Sequence, residues 1–213
     1  MRAAGGVVIS AAGVRRSFGG VEVLRGVDLA VSPGEFVTLS GPSGSGKTAL
    51  LAILCGFDVP DAGSVRPGPV AWSACAVLPQ SLGLATELTL EENVALPLRL
   101  RGLPTDPVAG VLAELGIADL GSRYPAQVSF GQQQRAALAR AVVARPSALL
   151  ADEPTAHLDA VSADAAIALL RGVADDGAAV LVATHHDAVH AAADRVLELA
   201  DGRIGTGLRR TTT

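Results

Sequence analysis

Residues 41–48 read Gly-Pro-Ser-Gly-Ser-Gly-Lys-Thr, a complete G-x-x-x-x-G-K-[ST] loop, and this octapeptide limits the fold more than any other stretch. Glu35–Ser40 before it has the apolar character of a buried strand, and Thr48–Leu54 after it has that of a helix. Strand, glycine-rich loop and helix, in that order, form the setting in which such a loop cradles phosphate. Gly41, Gly44 and Gly46 let the backbone adopt left-handed conformations that turn amide N–H groups inward around phosphate oxygens. Pro42, Ser43 and Ser45 complete the loop, and the helix start adds about half a positive charge. Lys47 is placed to reach the β- and γ-phosphates, and the Thr48 hydroxyl to bind Mg²⁺. A glycine-rich turn with a solvated lysine would leave the full spacing without a reason, so the pattern implies a site for a nucleoside triphosphate.

The 213 residues can form one α/β domain with a large core, and residues 1–213 are read as a single unit. A net charge of −4 provides no global basic field, so nucleic acid is not an expected partner. Apolar residues make up 49% of the chain and mean hydropathy is +0.40, both high for a freely soluble enzyme. Yet no apolar run reaches the ~18–20 residues of a membrane span: Arg25, Asp28 and Pro33 interrupt the first candidate. No secretory signal is evident, because Met1-Arg2 leads directly into a short Val-Val-Ile strand. Cys55 and Cys75 are too few for a disulfide scaffold or a cysteine zinc site and are expected to be small buried residues in a reducing compartment. A cytosolic chain is expected, its apolarity serving an Ala/Val/Leu-rich core or a docking face for a membrane partner.

Strands are predicted at Val7–Ser10, Val21–Val31, Glu35–Ser40, Ala74–Leu78, Ala148–Ala151, Ala179–Ala183 and Val196–Leu199. Helices are predicted after the phosphate loop and at Thr89–Arg101, Pro107–Leu115, from Ser129, Asp159–Ala174 and Ala188–Ala193. Pro97 should kink or break its helix, and the Pro/Gly/Asp-rich stretch Asp58–Gly68 reads as loop and turn. Strands alternating with helices imply a mostly parallel sheet, with a helical subdomain of about 82–145 inserted into it.

Ser147–Glu153 is an apolar strand that ends in two acids, Asp152 and Glu153. An acid at a strand's C-terminal end sits where open α/β sheets bind ligands, so Asp152 can hold Mg²⁺ and Glu153 can polarise an attacking water. By itself Asp-Glu-Pro could be a turn with a helix cap; beside a complete phosphate loop, the catalytic reading is preferred. Ser129-Phe130-Gly131-Gln132 is either an ordinary capped helix start or a second anion site at a helix N-terminus.

Together, these motifs make the chain resemble the ATP-binding subunits of ABC transporters over essentially its full length. The resemblance implies a P-loop NTPase with an antiparallel β edge, working as an ATP-dependent head-to-tail dimer, with itself or with a sister ATPase, that sandwiches two ATP·Mg²⁺. Phe18 stands where the family has an aromatic that stacks on adenine, although a core phenylalanine would read the same way. Gln80 stands at the glutamine that touches Mg²⁺ and senses the membrane partner. Ser129, Gly131 and Gln132 match the signature that contacts the γ-phosphate held by the other subunit. Asp152 and Glu153 match the metal-binding and catalytic acids, and Asp159 lies in the loop joining the two sites. His185 matches the switch histidine on the γ-phosphate, with the neighbouring His186 the alternative register. Lys47, Thr48 and Asp152 would then hold charge and metal.

Leu88–Leu98 followed by Arg101-Gly102 looks most like the branch that drives lipoprotein release and macrolide export. The resemblance implies a separate integral membrane permease and a peripheral position on the cytoplasmic face of the cell membrane. An ATP-driven signalling module of the cell-division type shares every motif. A DNA-acting relative is disfavoured by the lack of heptad insertions. A binding-only module would follow if Phe130, which replaces the first glycine of the signature pair, weakens hydrolysis. The segment Gly63–Ala74 is shorter than usual for the family, as if a hairpin and short helix were missing.

Overall fold

The computed structural model describes residues 8–66 and 74–205. The start of the predicted Val7–Ser10 strand and residues 67–73 of the shortened segment lie outside the described residues. The strands are β1 (Ile9–Phe18), β2 (Val21–Val31), β3 (Phe36–Ser40), β4 (Ala62–Arg66), β5 (Cys75–Leu78), β6 (Ala148–Asp152), β7 (Ala179–Ala183), β8 (Arg195–Ala200) and β9 (Arg203–Gly205). The helices are α1 (Lys47–Leu54), α2 (Leu90–Leu100), α3 (Pro107–Glu114), α4 (Phe130–Val142), α5 (Ala160–Asp175) and α6 (Asp187–Ala192).

Six strands form one sheet in the order β5-β6-β7-β3-β8-β9, parallel throughout except for β9, which runs antiparallel to β8. A second, antiparallel sheet has the order β2-β1-β4. The larger sheet separates two hydrophobic cores, and the period-2 alternation of a strand feeds both. Phe36, Leu149, Val180 and Val182 pack with α2, α3, α4 and α5 on one face. Val37, Leu39, Leu150 and Leu181 pack with α1 and the antiparallel sheet on the other. Burial on both faces explains why β6 and β7 read as unbroken apolar runs.

Two expectations are corrected, and a third is narrowed. The stretch expected to be loop contains β4, which pairs with β1 from Ala62 to Arg66. Its five residues are mostly exposed and carry no apolar signal, so only the partner strand defines them. β1 itself runs on to Phe18, well past Ser10, through register shifts at Ala11, Val14 and Arg16 that interrupt its alternation. Of the two outcomes expected at Pro97, the break does not occur: helix α2 continues through it to Leu100. Proline removes one ladder bond there, whereas Leu90, Val94, Ala95 and Leu98 bury a full face. Asn93, fully buried one turn earlier, ties the helix down by donating from Nδ2 to the carbonyls of Ala85, Leu88 and Thr89.

Candidate functional site

Strand order brings the motifs together. In the run β5-β6-β7-β3 the strands are parallel neighbours, so their C-terminal ends share one edge. β5 delivers Gln80, β6 delivers Asp152 and Glu153, β7 delivers Thr184 and His185, and β3 delivers the phosphate loop. Ligands bind at this edge of open α/β sheets because the loops and helix starts converge there. A cavity of about 930 Å³ opens at it, lined by Gly41, Lys47, Thr48, Gln80, Asp152, Glu153, His185 and His186, with Phe130, Gln134 and His157 on the side of α4.

Gly41, Gly44 and Gly46 all have positive φ, as the sequence requires. A side chain at Gly41 would place its Cβ 2.2 Å from the Leu199 carbonyl, and one at Gly46 would place it 2.9 Å from Leu24. The loop is therefore wedged between β2 and β8 as well as bent for its ligand. Gly46 precedes α1 without any side-chain cap, so the first amides of that helix take no partner from a capping side chain. Lys47 Nζ donates to the carbonyls of Gly41 (2.7 Å) and Pro42 (3.0 Å), which holds the ammonium over the loop. The Ser45 hydroxyl is buried with no hydrogen-bond partner.

Thr48 Oγ1 donates to Asp152 Oδ2 at 2.9 Å, joining loop and strand end. Burial pushes the Asp152 carboxyl above the usual aspartate range against the opposing pull of the Thr48 bond, with Glu153 adding to the rise and Lys47 opposing it. The residues present fit Mg²⁺ and a triphosphate. A hydroxyl and a carboxylate make an oxygen donor pair suited to a hard dication, and the uncapped helix start and orphaned Ser45 hydroxyl can receive phosphate oxygens.

Glu153 has φ +50, a left-handed backbone uncommon for a residue with a side chain. Three neighbours hold it. Its carboxylate accepts from Thr184 Oγ1 at 3.0 Å, its other oxygen lies 2.7 Å from His185 Nδ1, and its carbonyl accepts from Gln134 Nε2 at 2.9 Å. Of the two adjacent histidines, His185 makes this contact, while His186 is the residue before α6 and donates its backbone N–H to Thr184 Oγ1.

Gln134 and Thr184 carry no role in the sequence reading. Thr184 is fully buried at the end of β7. Gln134, only 3% exposed, belongs to the run Gln132-Gln133-Gln134, in which the alphabet alone favours no member. The detectable signal is its position four residues before Leu138, on the buried stripe of α4.

The other expected residues lie further out. Ser129 caps α4: its hydroxyl accepts from Gln132 N, and the Gln132 side chain accepts from Ser129 N. A Cβ at Gly131 would stand 2.9 Å from the His157 carbonyl, so α4 starts hard against the loop that follows Glu153. Phe130 is half exposed and packs edge-on against His157, with ring centroids 4.9 Å apart. Asp159 caps α5 by accepting from the Ser162 backbone N–H and hydroxyl, which hold its carboxyl below the usual range. Phe18, half exposed at the end of β1 beneath the Arg16 guanidinium, is neither a core residue nor part of the cavity lining. Cys55 is buried and Cys75 half-buried, and burial pushes their thiols up to about 12 and about 11.

A parallel sheet with a glycine-rich phosphate loop at its edge, faced by strand-end acids, defines a P-loop NTPase. The chain belongs to the ABC transporter family, whose model matches residues 24–156. It is 38% identical to the ATP-binding protein LolD of a lipoprotein-releasing system in Legionella pneumophila (strain Lens), over 86% of this chain and 89% of that protein. It is also 38% identical to the macrolide export ATP-binding/permease protein MacB of Nitrosomonas europaea, spanning only 33% of its length. A taurine import ATP-binding protein, TauB of Chromobacterium violaceum, is 44% identical, over 87% of this chain and 76% of that protein. A solved dimeric ATP-binding cassette in a post-hydrolysis state, bound to ADP and Pi, superposes with a TM-score of 0.87 at 29% identity, covering 97% of this chain and all of the other. The protein is thus an ATP-binding and ATP-hydrolysing subunit of an ABC transporter, homologous to export and release systems.

Proposed function

We propose that this chain hydrolyses Mg²⁺·ATP through Glu153 and transmits the resulting dimer motion to a separate membrane permease, at the cytoplasmic face of the membrane. The observation that carries the chemistry is the threefold grip on Glu153, by Thr184, His185 and Gln134, at the edge that also bears the phosphate loop. Lys47 exchanges its loop carbonyls for β- and γ-phosphate oxygens, and Gly41–Gly46 wrap them with backbone amides. Thr48, Asp152 and Gln80 would hold Mg²⁺, which when bound would neutralise charge developing on the phosphates. Glu153 orients the attacking water and accepts its proton, while His185 steadies the γ-phosphate. Phe18 stacks on adenine from outside the cavity.

A second copy of the chain, or a sister ATPase, completes the site head-to-tail. It contributes its own Ser129–Gln132 segment, and Asp159 lies in the loop that joins the two centres. Two dimeric cassette structures of the same fold support such a pair. No helix among the described residues is long and apolar enough to cross a membrane, which fits a peripheral subunit. Likeness to LolD and MacB favours export or release, and likeness to TauB supports import as the second reading.

Glu153→Gln decides the chemistry. Loss of a general base should lower ATP turnover about 10²–10⁴-fold while ATP binding persists, as measured by phosphate release and by equilibrium binding. Turnover near the wild-type rate would remove Glu153 from the mechanism. A detergent pull-down of the same variant with ATP, read by mass spectrometry, identifies the permease. Recovery of an import-type permease would overturn the export reading, and recovery of a signalling complex would replace transport altogether.

A further inference from the structure

The doubled histidine has no role in the chemistry above beyond His185. Glu153, His185 and His186 each offer a ligand atom, and those atoms all lie within 4.8 Å of one another. We propose that Glu153, His185 and His186 form a second metal site in this cavity, suited to a borderline transition-metal dication such as Zn²⁺.

Two imidazoles and one carboxylate are a nitrogen-rich donor set that favours Zn²⁺ or Co²⁺ over Mg²⁺, which takes hard oxygens. The hard-oxygen pair is elsewhere in the cavity, at Thr48 and Asp152, so the two metals do not compete for ligands. A tetrahedral zinc with bonds of about 2.0–2.2 Å needs donors about 3.4 Å apart. His185 Nδ1 and Glu153 Oε1 stand at 2.7 Å, and the two imidazole rings at 4.5 Å between centroids. Closing the set takes shifts of about 1 Å, within reach of side-chain rotation. The His185 side chain is 71% exposed, so a metal can replace its 2.7 Å contact with Glu153 Oε1 without displacing buried packing. The outer shell is already in place. Thr184 Oγ1 donates to Glu153 Oε2, leaving Oε1 toward the histidines, and the same hydroxyl accepts the His186 backbone N–H. Such partners orient ligands and sharpen metal affinity. Three protein ligands leave a fourth position for water.

Occupancy would tie up Glu153 and His185, so this metal would inhibit ATP turnover. That consequence rests on the proposed role of Glu153; the binding itself does not. The test uses tag-free full-length protein without nucleotide, titrated with Zn²⁺ against a chromophoric chelator in excess Mg²⁺, and separately with Co²⁺ by visible absorption. One Zn²⁺ per chain is expected. His186→Ala and His186→Asn should each weaken it at least tenfold, since even outer-shell changes cost about 10–100-fold. Co²⁺ should show ligand-field bands without sulfur-to-metal charge transfer. No saturable binding, wild-type affinity in both His186 variants, or a thiolate band pointing to Cys75 would each overturn the site. Zn²⁺ should also slow wild-type turnover relative to its own metal-free rate and spare His186→Ala. Tight binding without slowing would overturn the inhibitory role alone. A failed Glu153→Gln test would overturn the hydrolysis assignment and leave the binding data standing.

Discussion

Two helix starts face the cavity side of this protein, and they are built in opposite ways. α1 begins after Gly46, at φ +103, with no side chain capping it. α4 begins after Ser129 with a complete capping box, in which Ser129 and Gln132 satisfy each other's backbone N–H groups. The first leaves its amides for a ligand, whereas the second already uses part of its donor set within the chain. The expected second anion site at Ser129–Gln132 is therefore not a repeat of the phosphate loop. α4 is self-supporting, and its inward face does separate work by holding the Glu153 carbonyl through Gln134. Capping and ligand binding draw on the same few amides, so a helix start optimised for one has fewer left for the other.

Three substitutions test that contrast, and the largest effect belongs to the phosphate loop. Lys47→Ala removes charge-assisted bonds of about 1.5–3 kcal/mol. ATP affinity should fall about 10–100-fold in a nucleotide titration. A similar loss of ATP affinity in the isolated chain bearing Ser129→Ala would erase the distinction between the two helix starts.

Next comes Gln134→Leu. It leaves the Glu153 carbonyl without its partner and lets the carboxylate drift, and misplacement by about 1 Å costs up to ~10²-fold. kcat should drop roughly tenfold or more while KM for ATP stays near its wild-type value, a split that general destabilisation would not produce. A fall in KM-linked binding with kcat intact would show that α4 acts through the nucleotide instead.

Smallest is Ser129→Ala in the free chain. Loss of a cap costs about 1 kcal/mol. For a chain of this size that lowers Tm by about 2–4 °C in a thermal melt. No change in Tm would mean that the box contributes little and that α4's amides are open after all.

Much of the site could be read from residue order. The glycines at 41, 44 and 46 have the positive φ that their spacing demanded, and β7 and β2 have the bounds that their patterns implied. The reading failed where a partner supplied the information. β4 has no apolar alternation of its own, and β1 hides its length behind three register shifts. β9, three residues at the sheet edge, is set only by its pairing with β8. Gln134 looked like its neighbours because a run of three glutamines has no internal contrast, and only the packing of α4 turns one of them inward.

The sequence by itself determined the phosphate loop, the alternation of strands and helices, and the family motifs. These depend on local matters: backbone freedom at glycine, period 2 against period 3.6, and the spacing of a few polar groups. Only the tertiary structure decided which strand ends stand side by side. β3 pairs with β7 and β8, far along the chain, in the register Leu39 to Ala183 and Ser40 to Glu198. That pairing is why Lys47, Asp152, Glu153 and His185 share one cavity, with Thr184 and Gln134 positioned to hold the acid. Hydrogen bonds between remote strands leave no periodic trace in either strand, so their arrangement follows from how the two faces of the sheet are buried together.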